Sequence, residues 1–335
     1  MIITTLILGF LFGAILQYSR LNRFNTISGM AMLTDYTVAK AIAVAIGVGM
    51  VLINTEIAFS LATYHIKPFM LGGVMIGGLI FGAGMAILGY CPGTMAISLG
   101  EGSVDALVGI IGGLSGGLVY TIVLPNMAFL RGPDLGKISL YSLTGSHGVI
   151  FFVILIVLSV VFIAAAFWLN KIEKSKKMNW LYAGIGLALL NAYLFLTVTE
   201  NRGMGASTFY PYIADLITQT TDNDYFTKIT KSGNWQIYFL GGAMLSGLVL
   251  SLIRGDFKLI TIHENWRKYK GESIGGRVIW AFIGGFILIF GARLAGGCTS
   301  GHVISGGMQV SLASLVFAAF VFAGLLITGR FFYKK

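Results

Sequence analysis

Apolar residues along this 335-residue chain run in long blocks separated by short polar segments. Nine blocks, at 2–18, 39–58, 70–90, 104–124, 149–169, 180–198, 235–252, 278–294 and 312–327, are long enough to cross a bilayer as helices, which takes about 17 to 25 residues. The pattern predicts an all-α integral membrane protein with about nine transmembrane helices.

Two of these blocks share a sequence. Moving residues 283–313 back by 207 positions lays Cys298 on Cys91 and gives eleven identities in 31 positions, among them Gly77/Gly284, Gly84/Gly291, Gly89/Gly296 and Ser98/Ser305. An unrelated pair of such glycine-rich composition would give about three. The chain therefore reads as a duplicated membrane unit, and its only two cysteines stand one in each copy. Four predicted helices precede block 149–169 and four follow it, so the two copies enter the membrane from opposite sides. The expected organisation is a first repeat over 1–135, a linker with the fifth helix over 136–178, and a second, inverted repeat over 179–335. Inverted repeats are a recurrent plan of secondary transporters, whose substrate site lies near the midplane where the copies meet.

Composition agrees: 56% of residues are hydrophobic and 11% charged, too little polar surface to coat a soluble globule of this length. The first block lacks a basic start and a small-residue cleavage site, so it reads as a membrane helix rather than a signal peptide. A net charge of +10 could suggest nucleic acid, but the cations flank apolar blocks, which membrane topology alone produces. Lys171, Lys174, Lys176 and Lys177, the stretch from Arg254 to Arg277, and the tail with Arg330, Lys334 and Lys335 are the strongly basic segments. Cytoplasmic loops carry the excess of Lys and Arg, so these three segments are assigned to the cytoplasm. The loop 200–234, with Asp215, Asp222 and Asp224, then falls outside, as does the N-terminus. The lipid bilayer is the expected environment, and nucleic acid is not an expected partner.

Chemistry concentrates at the repeated thiols. Gly89, Cys91, Pro92, Gly93 and Thr94 in one copy, and Gly297, Cys298, Thr299, Ser300, Gly301 and His302 in the other, read as helix breaks at membrane depth. Broken or re-entrant helices at the centre are therefore expected, each followed by a short helix whose free amides attract an anion. A neutral thiol is a weak donor and a soft surface, suited to a sulfur-terminated ligand. Arg293 interrupts an apolar helix five residues before Cys298 and must find a partner or water. His302 is open to two readings, a proton shuttle or a polar cap contact. Arg23 and Arg202, each after an Asn, are either vestibule cations or interfacial arginines reaching for headgroups. Nucleotide-binding motifs, nucleophile triads, paired catalytic carboxylates and metal clusters are missing from the sequence, so no enzyme, metal or cofactor is expected.

The segments GYCPGT around Cys91 and GGCTSGH around Cys298, within a nine-helix plan, resemble the YeeE/YedE family of the sulfur-transport superfamily, which includes bacterial thiosulfate uptake transporters. The resemblance implies a protein of the bacterial inner membrane that imports a small sulfur-containing anion, most simply thiosulfate, through a central passage lined by cysteines. It also implies a small soluble sulfur-carrier partner of the TusA-like type. Thiosulfate-transporting members of the family carry a third cysteine soon after the first helix. Here that region reads SRLNRFN, with Asn25 fitting the family context and Asn22 the internal repeat. Asn22, Arg23, Asn25 and Arg202 are thus the candidate entrance residues. Transport of another sulfur or selenium species, and persulfide transfer by covalently modified thiols, stand as alternatives.

Overall fold

The structure is a computed structural model and describes residues 2–334. The helices are α1 (Ile2–Tyr18), α2 (Phe24–Ala31), α3 (Thr37–Ala58), α4 (Leu71–Leu88), α5 (Pro92–Gly100), α6 (Val104–Val123), α7 (Ala128–Arg131) and α8 (Leu140–Thr144). They continue with α9 (Val149–Glu173), α10 (Asn179–Phe195), α11 (Phe209–Ile217), α12 (Asp224–Arg254), α13 (Glu264–Lys270), α14 (Ile274–Leu294), α15 (Ser305–Met308) and α16 (Leu312–Phe332). Among the described residues there are isolated β-bridges and no strands.

Among the described residues seven helical segments are long and apolar enough to cross a membrane: Thr37–Ala58, Leu71–Gly100, Val104–Asn126, Val149–Glu173, Asp224–Arg254, Ile274–Met308 and Leu312–Phe332. The other two apolar blocks form the 17-residue helices α1 and α10. One boundary differs markedly from the sequence expectation. Block 235–252 lies inside a 31-residue helix, because Asn223 starts α12 early by accepting a hydrogen bond from the Phe226 amide at 2.8 Å. Apolar periodicity sees only the greasy part of such a helix.

At the centre, α4 packs on both α14 and α16, and α14 packs also on α6. Around them α1 lies on α12 and α10 on α3, while α9 rests on α3. Much of α9 is turned away from the protein, with Val153, Ile156, Val157, Val160, Val161 and Trp168 exposed, as suits a helix facing lipid. The α4–α14 contact is close because glycines replace side chains at the crossing: Gly77 faces the Gly291 carbonyl, and Gly84 faces Leu288. Gly78 and Gly82 do the same for α16, and Gly112 and Gly116 for α14. Gly78 with Gly82, and Gly112 with Gly116, are small residues four apart, a spacing that lets helix backbones approach.

The connecting segments gather at two ends. At one, bridges join Ala62 to Leu196, Met70 to Asp134 and Ser139 to Ser311. At the other, Ser103 bridges to Ile260, Arg23 pairs with Asp256, and Lys40 pairs with Glu173. The three strongly basic segments belong to this second end, where Asn179 donates to the Tyr18 carbonyl and Tyr269 packs on Tyr333.

Candidate functional site

Both predicted helix breaks are present. α4 ends at Gly89, whose φ of +79° is the left-handed cap that glycine adopts without strain. Cys91 follows with extended backbone and caps α5, with Pro92 at its first helical position. The Thr94 hydroxyl accepts the Cys91 amide at 2.7 Å and lies 3.4 Å from the Cys91 sulfur. The Pro92 carbonyl accepts from the Tyr210 hydroxyl at 2.7 Å, which ties this break to α11. Gly93 lies against the Phe12 ring and Ala206.

In the second copy α14 ends at Leu294, Gly296 takes φ +78°, and Cys298 is again extended. The chain then makes a wide π-helical turn over Thr299–Ile304 before α15. Such turns are uncommon and cluster at functional positions. The Cys298 sulfur sits 3.3 Å from the Ser300 hydroxyl.

Cys298 opens onto a cavity of about 220 Å³, lined also by Lys67, Arg202, Arg293, His65, Gln236, Gly297, Gly301 and Ser305. Arg293 is buried, and its guanidinium donates to the Tyr225 hydroxyl at 2.7 Å, Thr208 at 3.0 Å and Ser207 at 3.3 Å. Those partners are neutral, so its charge is held in place without being cancelled. Lys67 donates to the Gly296 carbonyl at 2.7 Å. Arg202 stacks on the Trp235 ring at 4.0 Å, and its Nε is buried with no hydrogen-bond partner among the described residues. Among the described residues no Asp or Glu side chain lines this cavity. Three cations lining one polar cavity focus a positive potential on it, a setting that suits an anion.

Burial leaves its mark on the cations that belong to loops. It pushes Lys67 down to about 8, with the Arg293 charge acting in the same direction and an ionised Cys298 sulfur against it, and Arg202 down to about 10 against the opposing charge of Glu200. The His65 imidazole is also lowered, first by burial.

A second cavity of about 60 Å³ lies beyond the Cys298 segment. Its walls are apolar, with Phe12, Leu16, Leu21, Ile27, Ile42, Val321 and Phe322 among them, and its polar side chains are Cys91, Thr94, Thr299 and Ser300. Ser300 thus lines the inner cavity while hydrogen-bonding Cys298, which lines the outer one. The turn Cys298-Thr299-Ser300 is the partition between the two.

The remaining candidates lie elsewhere. His302 is buried and lines neither cavity; its Nδ1 meets Ser314 at 2.8 Å and its Nε2 the Ala295 carbonyl at 3.0 Å, so it braces the turn. Arg23 is at the opposite end of the bundle, 3.1 Å from Asp256 and 3.8 Å from Glu101. Asn25 accepts the Asn265 amide at 3.1 Å. Asn22 is buried beneath α5, with its carbonyl accepting from Ser98 at 2.6 Å. Arg202 joins the outer cavity, whereas these three stay at the far end.

Sequence reasoning missed Lys67, Tyr225, Ser207 and Thr208. Lys67 left a signal, as a cation beside Pro68 in a connecting segment far from the three basic clusters. The other three left none, because their role depends on α12 and the 200–208 segment folding back onto Arg293.

The curated relative thiosulfate transporter TsuA of Spirochaeta thermophila is 28% identical over 342 aligned positions, covering 97% of either chain. The family described as Sulphur transport matches residues 19–327. With most of its length under that match, the chain belongs to the sulphur transport family.

Proposed function

We propose that this protein imports a small sulfur-containing anion, with thiosulfate the species the site fits best, along a path from the outer cavity past Cys298 to Cys91. The carrying observation is the outer cavity, where Lys67, Arg202 and Arg293 face one space without a carboxylate and Cys298 stands at its wall. A dianion needs such compensation at membrane depth. Its sulfur end then meets a thiol, and the inner cavity presents a second thiol to a largely apolar space. The relative that transports thiosulfate supports the same substrate.

The architecture belongs to this reading. Under the 207-residue shift, the contact of α4 with α16 exchanges for that of α14 with α6, and the pairing of α1 with α12 has its like in α10 with α3. These exchanges support two inverted repeats within a nine-crossing plan, α1 and α10 included. The basic end of the bundle, with Lys171, Lys174, Lys268 and Arg330, is the cytoplasmic one by the rule that Lys and Arg stay inside. The N-terminus then lies outside, the C-terminus lies in the cytoplasm, and the cationic cavity opens outward.

The test is uptake of radiolabelled thiosulfate into proteoliposomes by the native chain, Cys91→Ala and Cys298→Ala. Uptake by the native protein, lost in both variants while folded protein remains in the membrane, is the expected result. Full uptake by either variant would overturn the thiol path, and none by the native chain would overturn thiosulfate as substrate.

A further inference from the structure

The polar atoms of the inner cavity are not equivalent. Thr94 is engaged with the backbone and sulfur of Cys91, and Ser300 with the sulfur of Cys298. The Thr299 hydroxyl, on the partition between the cavities, is buried and has no hydrogen-bond partner among the described residues. A buried hydroxyl without a partner is costly, and protein interiors seldom leave one. The same cavity is lined by Phe12, Leu16, Ile27 and Ile42, none of which carries a polar side-chain atom.

We propose that Thr299 is the specificity-determining donor of the inner cavity, giving its hydrogen bond to the oxyanion end of the passing anion while Cys91 meets the sulfur end. This rests on the reading of the protein as a thiosulfate transporter. Hydrosulfide has the soft end without the oxyanion, and sulfate has the oxyanion without the soft end, so each satisfies one wall of this space and leaves the other unmatched. Thiosulfate satisfies both. In an apolar space a hydroxyl not already engaged by the protein weighs heavily. Capture in the outer cavity is by Lys67, Arg202 and Arg293 and does not involve this hydroxyl. Thr299 therefore governs passage rather than capture.

Thr299→Val keeps the shape and removes the hydroxyl, and Thr299→Ser keeps the hydroxyl on a smaller side chain. The measurements are thiosulfate uptake into proteoliposomes at saturating substrate and thiosulfate binding to the purified proteins by calorimetry. Thr299→Val is expected to lose about tenfold or more of the maximal uptake rate, as the loss of a hydrogen bond to a charged group implies. Its thiosulfate binding should stay within about twofold of native, and Thr299→Ser should transport near the native rate. Native-like uptake by Thr299→Val would overturn the proposal, as would a Thr299→Ser protein equally slow. Loss of binding together with uptake in Thr299→Val would also overturn it, because the residue would then serve capture or folding. Failure of the native chain to take up thiosulfate is a separate result that removes the transport reading itself and this inference with it.

Discussion

Gly89 and Gly296, 207 residues apart, hold the same left-handed conformation, φ +79° and +78°, each two residues before one of the two cysteines. The sequence match at these positions is thus accompanied by like backbone at the point where each helix stops. Their surroundings differ. A side chain added at Gly89 would run into the Phe24 ring, whereas one added at Gly296 meets nothing.

Alanine at the two positions should therefore be unequal. Each substitution forces a left-handed L-residue, which costs about 1–2 kcal/mol. Gly89→Ala must in addition displace a fully buried aromatic ring. Thermal unfolding in detergent should show a clearly larger loss of Tm for Gly89→Ala than for Gly296→Ala; equal losses would contradict this account of the first break.

Arg293 tests the outer cavity. In the unliganded protein its charge is buried among neutral hydroxyls, so Arg293→Met removes a desolvation cost of several kcal/mol and forfeits three hydrogen bonds of about 1–3 kcal/mol each. These effects oppose each other, and the variant should unfold within a few degrees of native. Thiosulfate binding should weaken about thirtyfold or more, as for other truncated buried charges facing an ionic partner. The paired readout is the Tm with and without thiosulfate. Ligand should raise the native Tm and, at the same concentration, raise that of Arg293→Met by clearly less.

The same arginine shows what sequence could and could not convey. That Arg293 interrupts an apolar helix is visible in one dimension, as are the breaks at Cys91 and Cys298, because glycine, proline and charge act on their own neighbourhood. That its partners are Tyr225, Ser207 and Thr208 is not, since they approach from 68 to 86 residues away. Arg202 carried two readings, and the structure places it at the cavity through its stack on Trp235. Arg23 had the same local sequence, Asn-Arg, yet pairs with Asp256 and Glu101. Local likeness could not separate them, because the distinction lies in which distant groups the fold brings near: Asp256 and Glu101 at Arg23, the Trp235 ring at Arg202.

Lys67 gives a pH dependence. Burial lowers its ammonium to about 8, so the group is charged below that pH and loses its proton as pH rises through it. The charged form favours the anion, and thiosulfate itself does not titrate in this range. Half-saturation should therefore be flat from about pH 6 to 7 and weaken about tenfold towards pH 9. Lys67→Arg, which keeps its charge throughout, should remove most of that rise. An unchanged profile in Lys67→Arg would place the titrating group elsewhere.

The buried pair of Asp105 and Arg277 supports the first break from the basic end of the bundle. Arg277 donates to Asp105 at 2.5 and 3.0 Å, and to the last carbonyls of α4, Ile87 at 3.2 Å and Leu88 at 2.7 Å. Asp105 also faces the Tyr90 hydroxyl at 3.3 Å and His263 at 3.1 Å, so the residue just before Cys91 is held from the same carboxylate. Arg277→Met alone strands a buried carboxylate and should destabilise by about 3–5 kcal/mol. Adding Asp105→Asn removes the stranded charge, so the double variant should be more stable than Arg277→Met rather than less. A double-mutant cycle on unfolding free energies measures this coupling. Even a partly recovered double variant should transport poorly, because the Ile87 and Leu88 carbonyls have lost their donor and the position of Cys91 depends on where α4 ends. Simple additivity of the two single substitutions would show that the pair does not work as a unit.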